Sequence, residues 1–276
     1  MSDLASQRPV KRPGGLRAGA PRSRLAARVE RVLSAALAGE PHVALNVKAS
    51  ELIAESGPVS AAVSSLLERA GPGITGHWRV TQTLTPTGLD VELLNSLVDP
   101  EPNVRIGAAR LCGAFRMTNS VPWLADLLAD ANPSVREAAV RALGRMGGRG
   151  AVDALMAAGD HLPQHRLAIE LAHAASDMDM EALMREPASV KAAVVTVLAC
   201  GLRHDRLRVD PLSGIAHDRR WPSRVRAAAC RALAMIGDPA VADRLRGLMG
   251  DPDTGVRLAV QKAQRRLRPP AGLGRA

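Results

Sequence analysis

Two sets of residues in this chain have types and spacings that could do chemistry. The first is His161, His165 and His173, with Asp160 beside them. Two histidines four residues apart on one helix present both imidazoles on one face, a metal-ligand spacing. Pro163 stands between them and breaks a continuous helix, and His173 falls in a column of core positions, so no metal site is expected. The second set is a series of bases, each behind an anchoring residue: Val104-Arg105, Val135-Arg136, His165-Arg166, Val190-Lys191, Val225-Arg226 and Val256-Arg257. As a row they could bind an anionic ligand. Taken singly, each is more simply used in a structural ion pair. No Ser/His/Asp constellation, phosphate-binding loop or metal motif accompanies them, so the reading is of a non-enzyme without a cofactor.

The elements that must position these bases follow from their spacing. The anchors are separated by 31, 30, 25, 35 and 31 residues, and a tiny side chain stands two places after each base: Gly107, Ala138, Ala168, Ala193, Ala228 and Ala259. A period in this range marks a repeat array, in which each unit buries its apolar face by stacking on the next. Hydrophobic residues make up 46% of the chain, yet there is no Tyr, one Phe and three Trp. Ala, Leu and Val therefore supply the packing, a palette that favours close-packed helices over strands.

The net charge of +10 is concentrated at the ends. Residues 1–28 carry Arg8, Lys11, Arg12, Arg17, Arg22, Arg24 and Arg28 against Asp3, and the last residues carry Lys262, Arg265, Arg266, Arg268 and Arg275 with no acid. The repeat body is close to neutral. Cys112, Cys200 and Cys230 are scattered with no C-x-x-C, which fits a reducing cytoplasm and neither a disulfide framework nor a zinc site. The longest apolar run, 192–202, is about half of the roughly 20 residues a membrane span needs.

Residues 1–22, rich in Pro, Gly, Arg and Ser, read as a disordered basic tail. A helix starts at the N-cap Ser23 and ends at Gly39, followed by shorter helices near 47–55 and 58–70. Residues 77–85 lack helical periodicity and read as an extended segment or packed loop. Residues 23–86 thus form a capping region, residues 87–268 hold about six helical pairs, and 269–276 form a tail. Counted from each base, the second helices have a buried face at positions +2, +3, +6 and +7. Gln264 breaks this pattern in the last unit, as suits a solvent-facing cap. The face turned away from the core falls at +1, +5 and +9. Those columns include Arg110, Arg141, Leu171, Thr196, Arg231 and Lys262 at +5, Arg145 at +9 and Leu167 at +1. Read across units, that surface is basic at both ends and apolar in the middle, as a protein-binding patch is built.

The segments ANPSVREAAVRALGRMG (131–147) and VRAAACRALAMIGDPAVADRLRGLMGDPDTGVR (225–257) resemble HEAT-like repeats, especially the short class named after phycobilisome lyases. The resemblance spans about 87–267. It implies an all-α fold, an α-solenoid of antiparallel helix pairs with the second helices lining a concave side. It also implies a ladder bonding turn aspartates to inner-helix arginines between neighbouring repeats: Asp99, Asp130 and Asp251 with Arg105, Arg136 and Arg257, and Asp218 with Arg226. The iron-dependent deoxyhypusine hydroxylases of this repeat type use repeated His-Glu pairs, which this chain lacks. The function expected is a non-enzymatic scaffold or adaptor, cytoplasmic, holding a protein partner on its concave face. The alternatives are nucleic-acid or anionic-surface binding through the basic tails and end-unit arginines and, more distantly, lyase-like chemistry of the phycobilin-lyase type, for which no local pocket motif is found.

Overall fold

A computed structural model describes residues 23–71, 74–158 and 162–267; the basic tails, Asp160 and His161 lie outside the described residues. Sixteen α-helices and no strand are found among these residues. The N-terminal region contains α1 (Arg24–Ala38), α2 (Ala49–Ala54), α3 (Ser56–Ala70) and α4 (Ile74–Gln82). First helices of the repeats are α5 (Leu89–Asn95), α7 (Val121–Leu127), α9 (Gly148–Ala157), α11 (Asp177–Arg185), α13 (Val209–His217) and α15 (Val241–Arg246). Second helices are α6 (Pro102–Ala114), α8 (Pro133–Met146), α10 (Gln164–Ala174), α12 (Val190–Leu202), α14 (Ser223–Ile236) and α16 (Thr254–Leu267). Each second helix packs on the next, and α3 packs on α6, so the inner row runs from α3 to α16.

Local signals account for the helix ends. The Ser23 hydroxyl accepts from the Ala26 N–H at 3.0 Å, and Gly39 closes α1 at φ +92°, a conformation that side chains other than glycine adopt only with strain. Pro at the first turn starts α6 and α8, where its missing N–H has no helical partner to lose. Residues 74–82 form a helix, contrary to the extended segment expected for 77–85. Val80 and Leu84, four apart, are both fully buried, and Arg79 donates to the Leu37 carbonyl at the end of α1 at 2.9 Å. One apolar pair in a single turn is too short a pattern to reveal a period.

The core is a continuous layer of Ala, Leu and Val between the two rows, and close helix approach is its main device. A Cβ added at Gly113 of α6 would lie 2.5 Å from Cα of Ala142 in α8, and one at Gly201 of α12 would lie 2.6 Å from Cα of Ala232 in α14. These contacts bring backbones together at the α6–α8 and α12–α14 interfaces without bulky side chains.

Candidate protein-binding face

The opening arginines belong to the joints. Arg105 makes two bonds to the Asp130 carboxylate of the following unit, Nε at 2.9 Å and Nη2 at 3.1 Å, while its Nη1 donates to the Asp99 carbonyl at 2.8 Å. Arg226 likewise grips Asp251 of the next unit at 2.5 and 3.2 Å, with both side chains almost wholly buried. Within a unit the arginine takes the aspartate's carbonyl: Arg136 donates to Asp130 O at 2.8 Å and Arg257 to Asp251 O at 2.6 Å. The named carboxylate pairs Asp99–Arg105, Asp130–Arg136 and Asp251–Arg257 are thus corrected. The carboxylate serves the arginine one repeat back, because its own N–H cap (Asn132 N–H to Asp130, Asp253 N–H to Asp251) turns it toward that neighbour. Asp218 bonds Arg220 and not Arg226.

The electrostatics agree with this geometry. The Arg226 hydrogen bond holds the Asp251 carboxyl below the usual carboxylate range against the opposing effect of burial, and Asp251 raises Arg226 in return. At Asp130 burial pushes upward, but the bonds from Arg105 and the Asn132 N–H outweigh it and the carboxyl is lowered. Arg166 reaches backward instead, to Glu137 at 2.9 Å and to Glu170 at 2.5 Å on its own helix.

The two central helices are out of the expected register. Leu167 and Leu171 are 2% and 0% exposed and Thr196 is 1% exposed, so none of the three lies on a free surface. Conversely His173, expected in the core, is exposed, and Val190, expected as a buried anchor, is 46% exposed. Both helices follow a frame two residues later than their bases suggest, with Leu167 in α10 and Ala192 in α12 taking the buried anchor position. Gly201 of α12 meets Ala232 just as Gly113 of α6 meets Ala142, which aligns Cys200 with Cys112. The repeated Cys-Gly pair is the signal in the sequence that reveals this frame; the bases mislead by two places. In the corrected frame the outward positions are Ile169 and His173 on α10 and Val194, Leu198 and Leu202 on α12; of these His173 and Leu202 are exposed, Ile169 is half-buried, and Val194 and Leu198 are buried.

Arg110, Arg141, Arg145, Arg231 and Lys262 are exposed on the inner row, as the columns predict. Three of them line adjoining cavities along α6 and α8. A cavity of about 770 Å³ lies over Ile53, Val104, Ile106 and Arg110, and shares Arg110 and Ser134 with one of about 620 Å³. That one shares Arg141 and Arg145 with a third of about 470 Å³, which reaches Glu68, Arg116, Glu170 and His173. The three form one trough whose floor is Gly113, Ala138, Ala142 and Gly144. Ser60, Ser64 and Glu68 of α3 form one wall; the sequence does not mark them, because α3 lacks the base and small-residue signature of the repeats. Glu170 is buried opposite Gly144, whose absent Cβ would fall 2.0 Å from the carboxylate; the glycine makes the space. Arg141 bonds Glu137 at 2.7 Å with both largely exposed, whereas Arg110 and Arg145 make no ion pair among the described residues.

The described residues hold no cluster of three or more metal-ligating side chains, and no helix among them is long and apolar enough to cross a membrane.

The HEAT-repeat family matches residues 91–175 and 180–264, more than half of the chain. No curated protein matches it in sequence. Among solved structures, it is similar to human deoxyhypusine hydroxylase in complex with glycerol (17% identity, 87% of this chain and 96% of that one, TM-score 0.34). It is also similar to the complex of CpcE and CpcF of phycocyanin lyase from Nostoc sp. (16% identity, 94% and 100%, TM-score 0.32). A designed armadillo repeat protein in complex with peptide (KR)4 matches at 17% identity, 89% and 100%, with a TM-score of 0.29. None of these similarities bears on what this chain binds. The two family matches, the stacked helix pairs and the arginine-aspartate joints lead to one statement: the chain belongs to the HEAT-repeat family of α-solenoids.

Proposed function

We propose that this HEAT-repeat chain is a non-enzymatic scaffold or adaptor of the cytoplasm that holds a protein partner on its inner face. The observation that carries the reading is the trough along α6 and α8, where exposed Arg110, Arg141 and Arg145 stand over a floor of glycine and alanine. Exposed arginines beside a surface that a polypeptide backbone can approach closely are the features of a protein-recognition groove. Arg231 and Lys262 extend the basic surface toward α16. The single Phe115 is buried, and the exposed Trp78 and Trp123 lie on α4 and α7, away from the trough. Stacking of nucleic-acid bases therefore has no platform there, which favours a protein over the nucleic-acid alternative.

The test is site-specific photo-crosslinking in extracts of the source cells, with the crosslinking residue at Arg145 or, as control, at Asp153 on the outer α9. The expected result is a discrete protein adduct from Arg145 only. Equal adducts from both positions, or nucleic acid as the main adduct, would overturn the reading.

A further inference from the structure

We infer that the trough along α8 accepts a short extended peptide segment with acidic side chains at alternate positions. This rests on the proposal that the inner face binds a protein, and it specifies the partner's chemistry.

From Ser134 to Arg145 the trough follows α8 for 11 residues, about 16 Å at the helical rise. An extended chain of about five residues covers that length. Arg141 and Arg145 are four residues apart on one helix face, about 6 Å along the axis. Side chains two apart on an extended strand face the same way at about 6.6 Å. Two carboxylates in the pattern acid-x-acid therefore meet the two guanidinium groups in register, and Arg110 flanks them from α6.

The ends of the trough set its polarity. Ile53, Val104 and Ile106 line one end and offer an apolar seat. Glu68 and Glu170 line the other together with Arg116 and His173, a mixed-charge end that favours a carboxylate less than the Arg141–Arg145 stretch does. The acidic run is thus favoured in the middle, and an apolar residue precedes or follows it at the Ile53 end. Glu137, now bonded to Arg141, would be displaced by the incoming acid. It remains bonded to Arg166, which is half-buried beside it. The same carboxylates make the trough a poor track for a continuous polyanion, which would have to pass Glu137, Glu68 and Glu170.

The experiment uses the full chain and three fluorescein-labelled probes: a peptide Leu-Ser-Glu-Ser-Glu-Ser, its lysine counterpart, and a 20-nucleotide single strand of thymidine. Binding is followed by thermophoresis at two salt concentrations. Only the glutamate peptide should bind, more weakly at high salt. Arg141→Glu with Arg145→Glu should weaken it about tenfold or more, since each exposed pair is turned from attraction into repulsion. Arg149→Glu with Arg185→Glu, on the outer helices α9 and α11, makes the same change of net charge away from the inner face and should alter affinity less than about twofold. Arg141→Gln with Arg145→Gln repeats the measurement should the reversal unfold the chain, as judged by circular dichroism. Equal binding of the lysine peptide, tighter binding of the thymidine strand, no binding of the glutamate peptide, or equal losses from both variants overturns the inference. A protein adduct at Arg145 together with no peptide binding refutes the acidic segment alone and leaves the scaffold reading standing.

Discussion

Replacing Asp251 by Ala probes the joint between the fifth and sixth repeats. In the native chain the Arg226 guanidinium and the Asp251 carboxylate are 6% and 2% exposed, bonded at 2.5 and 3.2 Å, and Asp251 also accepts the Asp253 N–H at 2.9 Å. Asp251→Ala leaves a buried cation without its counter-charge and one turn N–H without its acceptor. Removing one partner of a buried pair costs about 3–5 kcal/mol, mostly the penalty of the charge left behind. The loss should appear in guanidinium denaturation followed by circular dichroism, concentrated in α16, which rests on α14 through this joint. The pH dependence gives an independent check. Asp251 is held below its ordinary value of 3.8 when folded, so the unfolded state binds the proton first as pH falls. Its contribution is complete at neutral pH and is lost as pH drops below about 4 through the folded value. The gap between wild type and Asp251→Ala should therefore close in acid. Arg226→Met combined with Asp251→Asn should cost less than the two single changes added together. A loss below about 1 kcal/mol at neutral pH, or a gap that does not change with pH, would show that the ladder is not held by this pair.

Further outcomes follow from the packing. Gly113→Ala drives a Cβ to 2.5 Å from Ala142 Cα and should cost about 1–3 kcal/mol in chemical denaturation, whereas Gly57→Ala, with no atom within 4 Å, should be neutral or mildly stabilising. Leu171→Asp places a carboxylate in the core and should unfold the array or lower stability by about 4 kcal/mol or more; unchanged stability with lost partner binding would restore Leu171 to a surface. Burial pushes the Cys112 thiol up to about 12 and those of Cys200 and Cys230 up to about 11. Iodoacetamide at pH 8 should therefore leave the native chain unlabelled by mass spectrometry and add three groups in denaturant.

The repeat architecture was legible because each unit writes the same local instructions: a base behind an anchoring residue, a small residue two places after the base, and apolar residues at helical spacing. The exposed bases Arg110, Arg141, Arg145, Arg231 and Lys262 of α6, α8, α14 and α16 were legible for the same reason, since those helices keep the common frame. The central units were misread because His165-Arg166 and Val190-Lys191 imitate the opening pair while the buried stripe starts two residues later. A base at a helix start takes whichever carboxylate is within reach, so its position does not set the packing frame. Backbone contacts such as Gly201 on Ala232 do.

The amino-acid order by itself determined that this chain forms stacked helix pairs, because burying Ala, Leu and Val at helical spacing has no other economical solution once the units repeat. Only the tertiary structure decided which aspartate serves which arginine, that α3 is an inner helix, and that Leu167, Leu171 and Thr196 are core. Those facts depend on the axial offset between neighbouring helices. Side chains of adjacent repeats set that offset jointly, and no single repeat encodes it.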